Sequence, residues 1–165
     1  MTATGKNEVR MKNRVLAGVA AGAAGTTVLN TVTYLDMALS ARPASSTPQD
    51  TVRKAENLIG VSLARAGADS EEASNRRAGI GALLGIAAGL GTGAVYGIAR
   101  PRMRRVPPPL RGLIAGVAAN LGTTGSMVAL GITDPRQWPA ESWLRDLIPH
   151  LAYGFATAAV YERLR

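Results

Sequence analysis

Ala78-Gly79-Ile80-Gly81-Ala82-Leu83-Leu84-Gly85-Ile86-Ala87-Ala88-Gly89-Leu90-Gly91-Thr92-Gly93-Ala94-Val95-Tyr96-Gly97-Ile98-Ala99 runs for 22 residues without a charge. Glycine stands at every fourth position of it, at Gly81, Gly85, Gly89, Gly93 and Gly97. On a helix that spacing makes one face of bare backbone, which lets a neighbouring helix come close. A bilayer core about 30 Å thick needs roughly 20 helical residues, so the run is long enough to cross it.

Two more runs share this character. The chain holds 19 basic and 11 acidic residues, and all of them lie outside Val15 to Leu35, Ala78 to Ala99 and Gly112 to Thr133. A fourth run, Leu147 to Tyr161, has 15 residues and contains His150. As a helix it covers only about 22 Å, so it must take length from the stretch near Trp143 or thin the bilayer. The spans are rich in Ala, Gly and Thr, which makes insertion only marginally favourable, and a soluble Ala/Gly-rich helical bundle is the alternative. The absence of cysteine excludes disulfides and thiolate metal sites, and a single histidine excludes a multi-histidine site within one subunit.

Charge placement orients the spans. Residues 1–14 form a basic N-terminus (Lys6, Arg10, Lys12 and Arg14 against Glu8), and residues 101–111 with Arg100 form a basic linker with no acid. The outer loop 36–77 has six basic and six acidic residues, and Asp134 to Asp146 has two basic and three acidic. Basic and balanced segments alternate, as expected of a multi-pass plasma-membrane protein with both termini in the cytoplasm. The hairpins are then 15–100 and 112–165. The net charge of +8 reads as contact with anionic headgroups at the cytoplasmic face and not as a nucleic-acid surface. The first run exceeds the apolar core of a secretory signal, about 7 to 15 residues, so a retained span is expected in place of a cleaved signal. Trp138, Trp143, Tyr34, Tyr96 and Tyr161 fall at span boundaries.

The halves resemble each other. Ala17-Gly18-Val19-Ala20-Ala21 followed by Gly25-Thr26-Thr27 matches Ala115-Gly116-Val117-Ala118-Ala119 followed by Gly122-Thr123-Thr124. Gly89, Thr92, Ala94, Val95, Tyr96 and Arg100 match Gly154, Thr157, Ala159, Val160, Tyr161 and Arg165. Compositional bias inflates such matches, but their order supports duplication. The expected fold is an all-α membrane protein with four transmembrane helices, built as two parallel-repeated hairpins. A short amphipathic helix is expected in the outer loop. Thr47 would cap it and Pro48 open its first turn, with Val52, Ala55, Ile59 and Leu63 on one face, lying on the membrane, over the bundle mouth or against its own loop. Ser70 reads as the cap of the second span, and Pro107 to Pro109 as a stiff spacer.

Small and polar residues recur at helical spacing in the other spans: Gly18, Gly22, Thr26 and Asn30 in the first, Gly112, Gly116, Asn120 and Thr124 in the third. Helix packing is the expected use, with Asn30 and Asn120 hydrogen-bonding across interfaces; a narrow pore lining, which would need an oligomer, is the alternative. Asp146 and His150 share a helical face, with Tyr153 three residues on, and this face is expected to look towards Tyr34 and Asp36. A titratable pair at membrane depth is a candidate proton or cation site at the outer mouth, or a structural pair orienting the start of span four.

Arg42-Pro43-Ala44-Ser45-Ser46-Thr47-Pro48, Thr133-Asp134-Pro135-Arg136-Gln137-Trp138 and Asp146-Leu147-Ile148-Pro149-His150-Leu151-Ala152-Tyr153-Gly154 resemble a family of actinobacterial integral membrane proteins of unknown function. The resemblance implies a membrane protein and gives no residue a role. No nucleophile with a base, paired carboxylates or phosphate loop is readable, so no catalytic, cofactor or metal residue is assigned and an enzyme is not expected. A structural or accessory membrane protein, as a homo-oligomer or with a membrane-complex partner, is the primary expectation; an oligomeric channel or proton-linked small-solute transporter is the other.

Overall fold

The computed structural model describes residues 3–63 and 70–165, so residues 64–69 of the expected outer loop lie outside it. The described residues form five α-helices and no strands: α1 (Ala3–Ser40), α2 (Thr47–Ile59), α3 (Glu71–Ala99), α4 (Pro108–Ala129) and α5 (Ala140–Leu164). Two 3-10 turns, Arg100–Met103 and Pro135–Gln137, follow α3 and α4. α3 starts where the Ser70 hydroxyl accepts a hydrogen bond from the Ala73 amide at 3.2 Å. α2 is capped at Ser46 and not at Thr47, without a side-chain cap bond. Pro108 and Pro109 are no spacer: they make the first turn of α4, where a missing N–H costs nothing.

The long helices pack in the order α4, α5, α1, α3, and α3 and α4 meet only marginally. Backbone contact joins α1 to α3. A Cβ on Gly93 would stand 2.6 Å from the Cα of Gly22, and a Cβ on Gly22 2.6 Å from the carbonyl oxygen of Gly89. Gly97 lies against Arg14 and Gly18. The glycine row of α3 does not serve one neighbour, however. Gly81 abuts Pro48 of α2, and Gly85, between the two contacts, faces open space.

α4 and α5 meet in the same manner, Gly116 against the backbone of His150 and Leu151, Gly112 against Phe155, and Gly154 against both glycines. The registers differ. Gly18 lies opposite Gly93, whereas its sequence counterpart Gly116 lies opposite Gly154, the counterpart of Gly89, one turn away. Two tyrosines of α5 tie the row together: the Tyr153 hydroxyl donates to the Gly89 carbonyl at 2.6 Å and Tyr161 to that of Gly97 at 3.2 Å. Gly25 makes room for this on α1, since a Cβ there would stand 2.7 Å from the Tyr153 ring.

α2 rests on the first turns of α3. The stripe Val52, Ala55, Ile59 and Leu63 is not the buried one: Val52 and Glu56 are buried, while Ala55, Leu58 and Ile59 are exposed. A polar contact overrides the apolar pattern here, because Arg77 donates to Glu56 at 2.5 Å and the Leu63 amide donates to the same carboxyl at 2.7 Å.

The exterior carries the large apolar side chains. Leu83, Val95 and Leu121 are each more than 60% exposed, while the buried set consists mainly of Ala, Gly and Tyr with Asn120 and Thr157. Three helices, Thr4–Ser40, Glu71–Met103 and Pro108–Ala129, are long and apolar enough to cross a membrane. α5 is equally long at 25 residues but less apolar, carrying Arg145, Asp146 and His150. It runs unbroken through Pro149, which leaves the Arg145 carbonyl without its i+4 donor.

Gly93→Ala should destabilise the folded protein by roughly 1–3 kcal/mol through backbone overpacking. Gly85→Ala, in the same row but facing open space, should be neutral or stabilising by about 0.5–1 kcal/mol. Thermal unfolding of the two variants in one detergent checks the contrast. The Arg77 hydrogen bond holds the Glu56 carboxyl below the ordinary carboxylate value of 4.5. A lowered carboxyl stabilises docking fully above that value, and the gain disappears as pH falls through the lowered one. A spin label at Asn57→Cys should therefore gain mobility on acidification below about 4.5, and Glu56→Gln should mobilise it at neutral pH.

Candidate functional site

Polar side chains gather between α4 and α5, near the end of the bundle where α2 lies. Asn120 and Gly116 stand one turn apart on α4, so the close approach at Gly116 brings the Asn120 amide to α5. Asn120 Nδ2 donates to Asp146 Oδ2 at 2.5 Å, and the Thr124 hydroxyl donates to the same oxygen at 3.1 Å. His150 Nδ1 lies 2.6 Å from the Asp146 carbonyl oxygen, and its Nε2 lies 3.1 Å from Thr123 Oγ1. Asn120 is buried and His150 and Asp146 are half-buried.

The geometry fixes the roles. A carbonyl oxygen can only accept, so Nδ1 of His150 carries a proton and donates to it. Asn120 Nδ2, 3.4 Å from that nitrogen, is then not its partner and belongs to Asp146. With neutral His150 the Thr123 hydroxyl donates to Nε2. With the imidazolium, Nε2–H donates to Thr123, whose hydroxyl turns to the Ala119 carbonyl at 3.1 Å. The network therefore accommodates both protonation states without moving a helix.

Asp146, His150 and Asn120 come together, as do the α4 and α5 glycines. Tyr153 turns the other way, to α1 and α3. Asn30, half-exposed on α1, makes no hydrogen bond to the cluster. Asp36 does not face His150 either: it pairs with Arg42 at 2.5 Å and stands 3.7 Å from Arg145, while Tyr34 is exposed. Thr123 and Thr124 complete the site, and their signal in the sequence is their spacing, three and four residues beyond Asn120. Among the described residues no three His, Asp or Glu side chains gather where they could hold a metal ion.

A second polar group closes the opposite end. Glu162 accepts from Arg100 and pairs with Arg165 and, at 3.3 Å, with Arg111. Beside it Tyr96 and Tyr161 stack edge to face, 5.4 Å between centroids. No family model, curated protein or solved structure matches the chain.

Asn120→Ala removes a donor from a half-buried carboxylate and should cost about 1–3 kcal/mol of stability. Asn30→Ala, away from the cluster, should stay within about 0.5 kcal/mol of the parent. Equilibrium unfolding in a single detergent reads both.

Proposed function

We propose that the chain is a small four-span membrane protein of structural or accessory type, with both termini in the cytoplasm and no catalytic activity. The observation that carries this reading is the way the polar groups of the spans are used. Asn120, Thr123, Thr124, Asp146 and His150 bond to one another across one helix interface, as the polar glue of a membrane bundle does. The apolar exterior suits hydrocarbon, where such side chains cost nothing to expose.

The basic segments supply the orientation. Lys6, Arg10, Lys12, Arg14, Arg100, Arg102, Arg104, Arg105, Arg111, Arg163 and Arg165 belong to the N-terminal part of α1, the α3–α4 connection and the end of α5, which share one end of the bundle. The positive-inside rule makes that end cytoplasmic. α5 becomes the fourth span, its Asp146 and His150 facing α4 and its 25 residues covering about 37 Å. Gly122 and Gly125 of α4 and Gly91 of α3 face open space, and such small-residue surfaces suit a second copy or a partner helix. A second reading draws on His150, held so that either protonation state is satisfied: a proton-linked carrier or channel assembled from several copies.

The chain has no cysteine, so single introduced thiols report topology directly. Ser45→Cys and Gln137→Cys should react with an impermeant maleimide applied outside intact cells, and Met103→Cys and Arg163→Cys only after permeabilisation. Labelling of Arg163→Cys from outside would mean three spans and overturn the four-span reading. Proteoliposomes of the parent should show no proton flux above empty vesicles; a flux abolished by His150→Ala would replace the accessory reading with the carrier.

A further inference from the structure

Three segments distant in sequence border an open cavity of about 690 Å³ at the basic end of the bundle. Arg10, Asn13, Arg14 and Ala17 line it from one face of α1. Arg100, Pro101 and Arg104 come from the 3-10 turn after α3, and Tyr161, Glu162, Leu164 and Arg165 from the last turn of α5. The lining thus holds five arginines and one acid, a balance of 5 − 1 = +4.

The acid does not neutralise the group. Glu162 is shared by Arg100, Arg165 and, from outside the lining, Arg111. Arg10, Arg14 and Arg104 have no carboxylate within ion-pair reach among the described residues. Arg100 is buried at 3% exposure with its Nε spent on Glu162, so it adds positive charge behind the cavity wall. Three guanidinium groups without a carboxylate partner beside one cavity repel one another, and an oxyanion is the group that offsets their charge with charge-assisted hydrogen bonds.

From this we infer that the cavity is a binding site for a phosphate-bearing anion of at least two negative charges, gripped by Arg10, Arg14 and Arg104 with Arg100 behind them. Arginine forks match phosphate oxygens two at a time, which lysine cannot do. The volume lies within the range of small-molecule sites, about 300–1,000 Å³, and exceeds what one phosphate needs. The ligand therefore has a body beyond the phosphate, and Ala17, Pro101 and Leu164 give that body an apolar wall. Arg14 directly precedes the first uncharged run, Arg100 directly follows the second and Glu162 the fourth, so the cavity sits at the depth of lipid headgroups. A phosphomonoester lipid headgroup is thus one source of the anion, and a soluble phosphate compound is the other. The lipid source rests on the membrane reading above; anion binding itself does not.

The test uses the full chain in non-ionic detergent, with two probes: inorganic pyrophosphate, and mixed micelles carrying phosphatidic acid or, as control, phosphatidylcholine. Arg10 and Arg104 are exposed and make no ion pair, so R10Q/R104Q folds, whereas loss of Arg100 would also break the Glu162 pairing. Saturable binding of either phosphate probe, weakened about tenfold or more in R10Q/R104Q, is the expected result. R53Q/K54Q makes the same charge change on exposed residues of α2 at the far end and should bind as the parent does. Binding of phosphatidic acid without pyrophosphate identifies the lipid as source, and the reverse or both identifies the soluble anion. The inference is overturned if neither probe binds, if R10Q/R104Q binds as the parent does, or if R53Q/K54Q loses as much. Pyrophosphate binding together with a failed topology experiment would leave the site standing and remove only the membrane reading.

Discussion

The structure depends on one contact, the approach of α1 and α3 until backbone meets backbone at Gly18, Gly22 and Gly93. Nothing larger than hydrogen fits there. Such proximity replaces the missing apolar core with dispersion between main chains, which is the means by which helices associate when their solvent is as oily as their side chains. The Gly116 and Gly154 contact does the same for α4 and α5. Between these two pairs stands α5 against α1, joined by larger groups: Tyr153 and Tyr161 cross to α3 over Gly25 and Ala21, the latter fully buried.

Burial in this chain is inverted relative to a water-soluble bundle. Most leucine, isoleucine and valine side chains point outward, and the buried positions of the long helices are held mainly by glycine, alanine and tyrosine, with Asn120 and Thr157. That inversion explains why the ionic groups collect at the two ends: Glu56 with Arg77 under α2, and Glu162 with its arginines at the other. Each lies beyond the end of a long uncharged run, where charges find one another or water.

Much of this was legible in the sequence, and the failures have identifiable causes. Uncharged runs and glycine spacing marked the long helices, because period and charge are local properties. They could not say which glycine meets which helix: Gly85 belongs to the same row as Gly89 and Gly93, yet the row passes from α2 to α1 and Gly85 falls between them. The face by which α2 docks on α3 was not legible, because it is set by Arg77, which lies 21 residues beyond Glu56 and captures it. At the candidate site the i, i+4 pair Asp146 and His150 was readable, and Asn120 was readable as polar, but their union was not. It requires the register of α4 on α5, which differs by a turn from that of α1 on α3, so the resemblance between the halves gave no guide. Tyr153 left the group for the same reason, since helical spacing does not say which of two flanking helices a ring will choose.

The order α4, α5, α1, α3 leaves the seam between α3 and α4 the weakest in the bundle. α1, α3 and α5 are joined by glycine contacts and by the tyrosine crossings, while α4 relies mainly on its glycine seam with α5. The hydrogen bonds around Asn120 reinforce that seam, so the polar cluster secures the helix with the fewest other attachments.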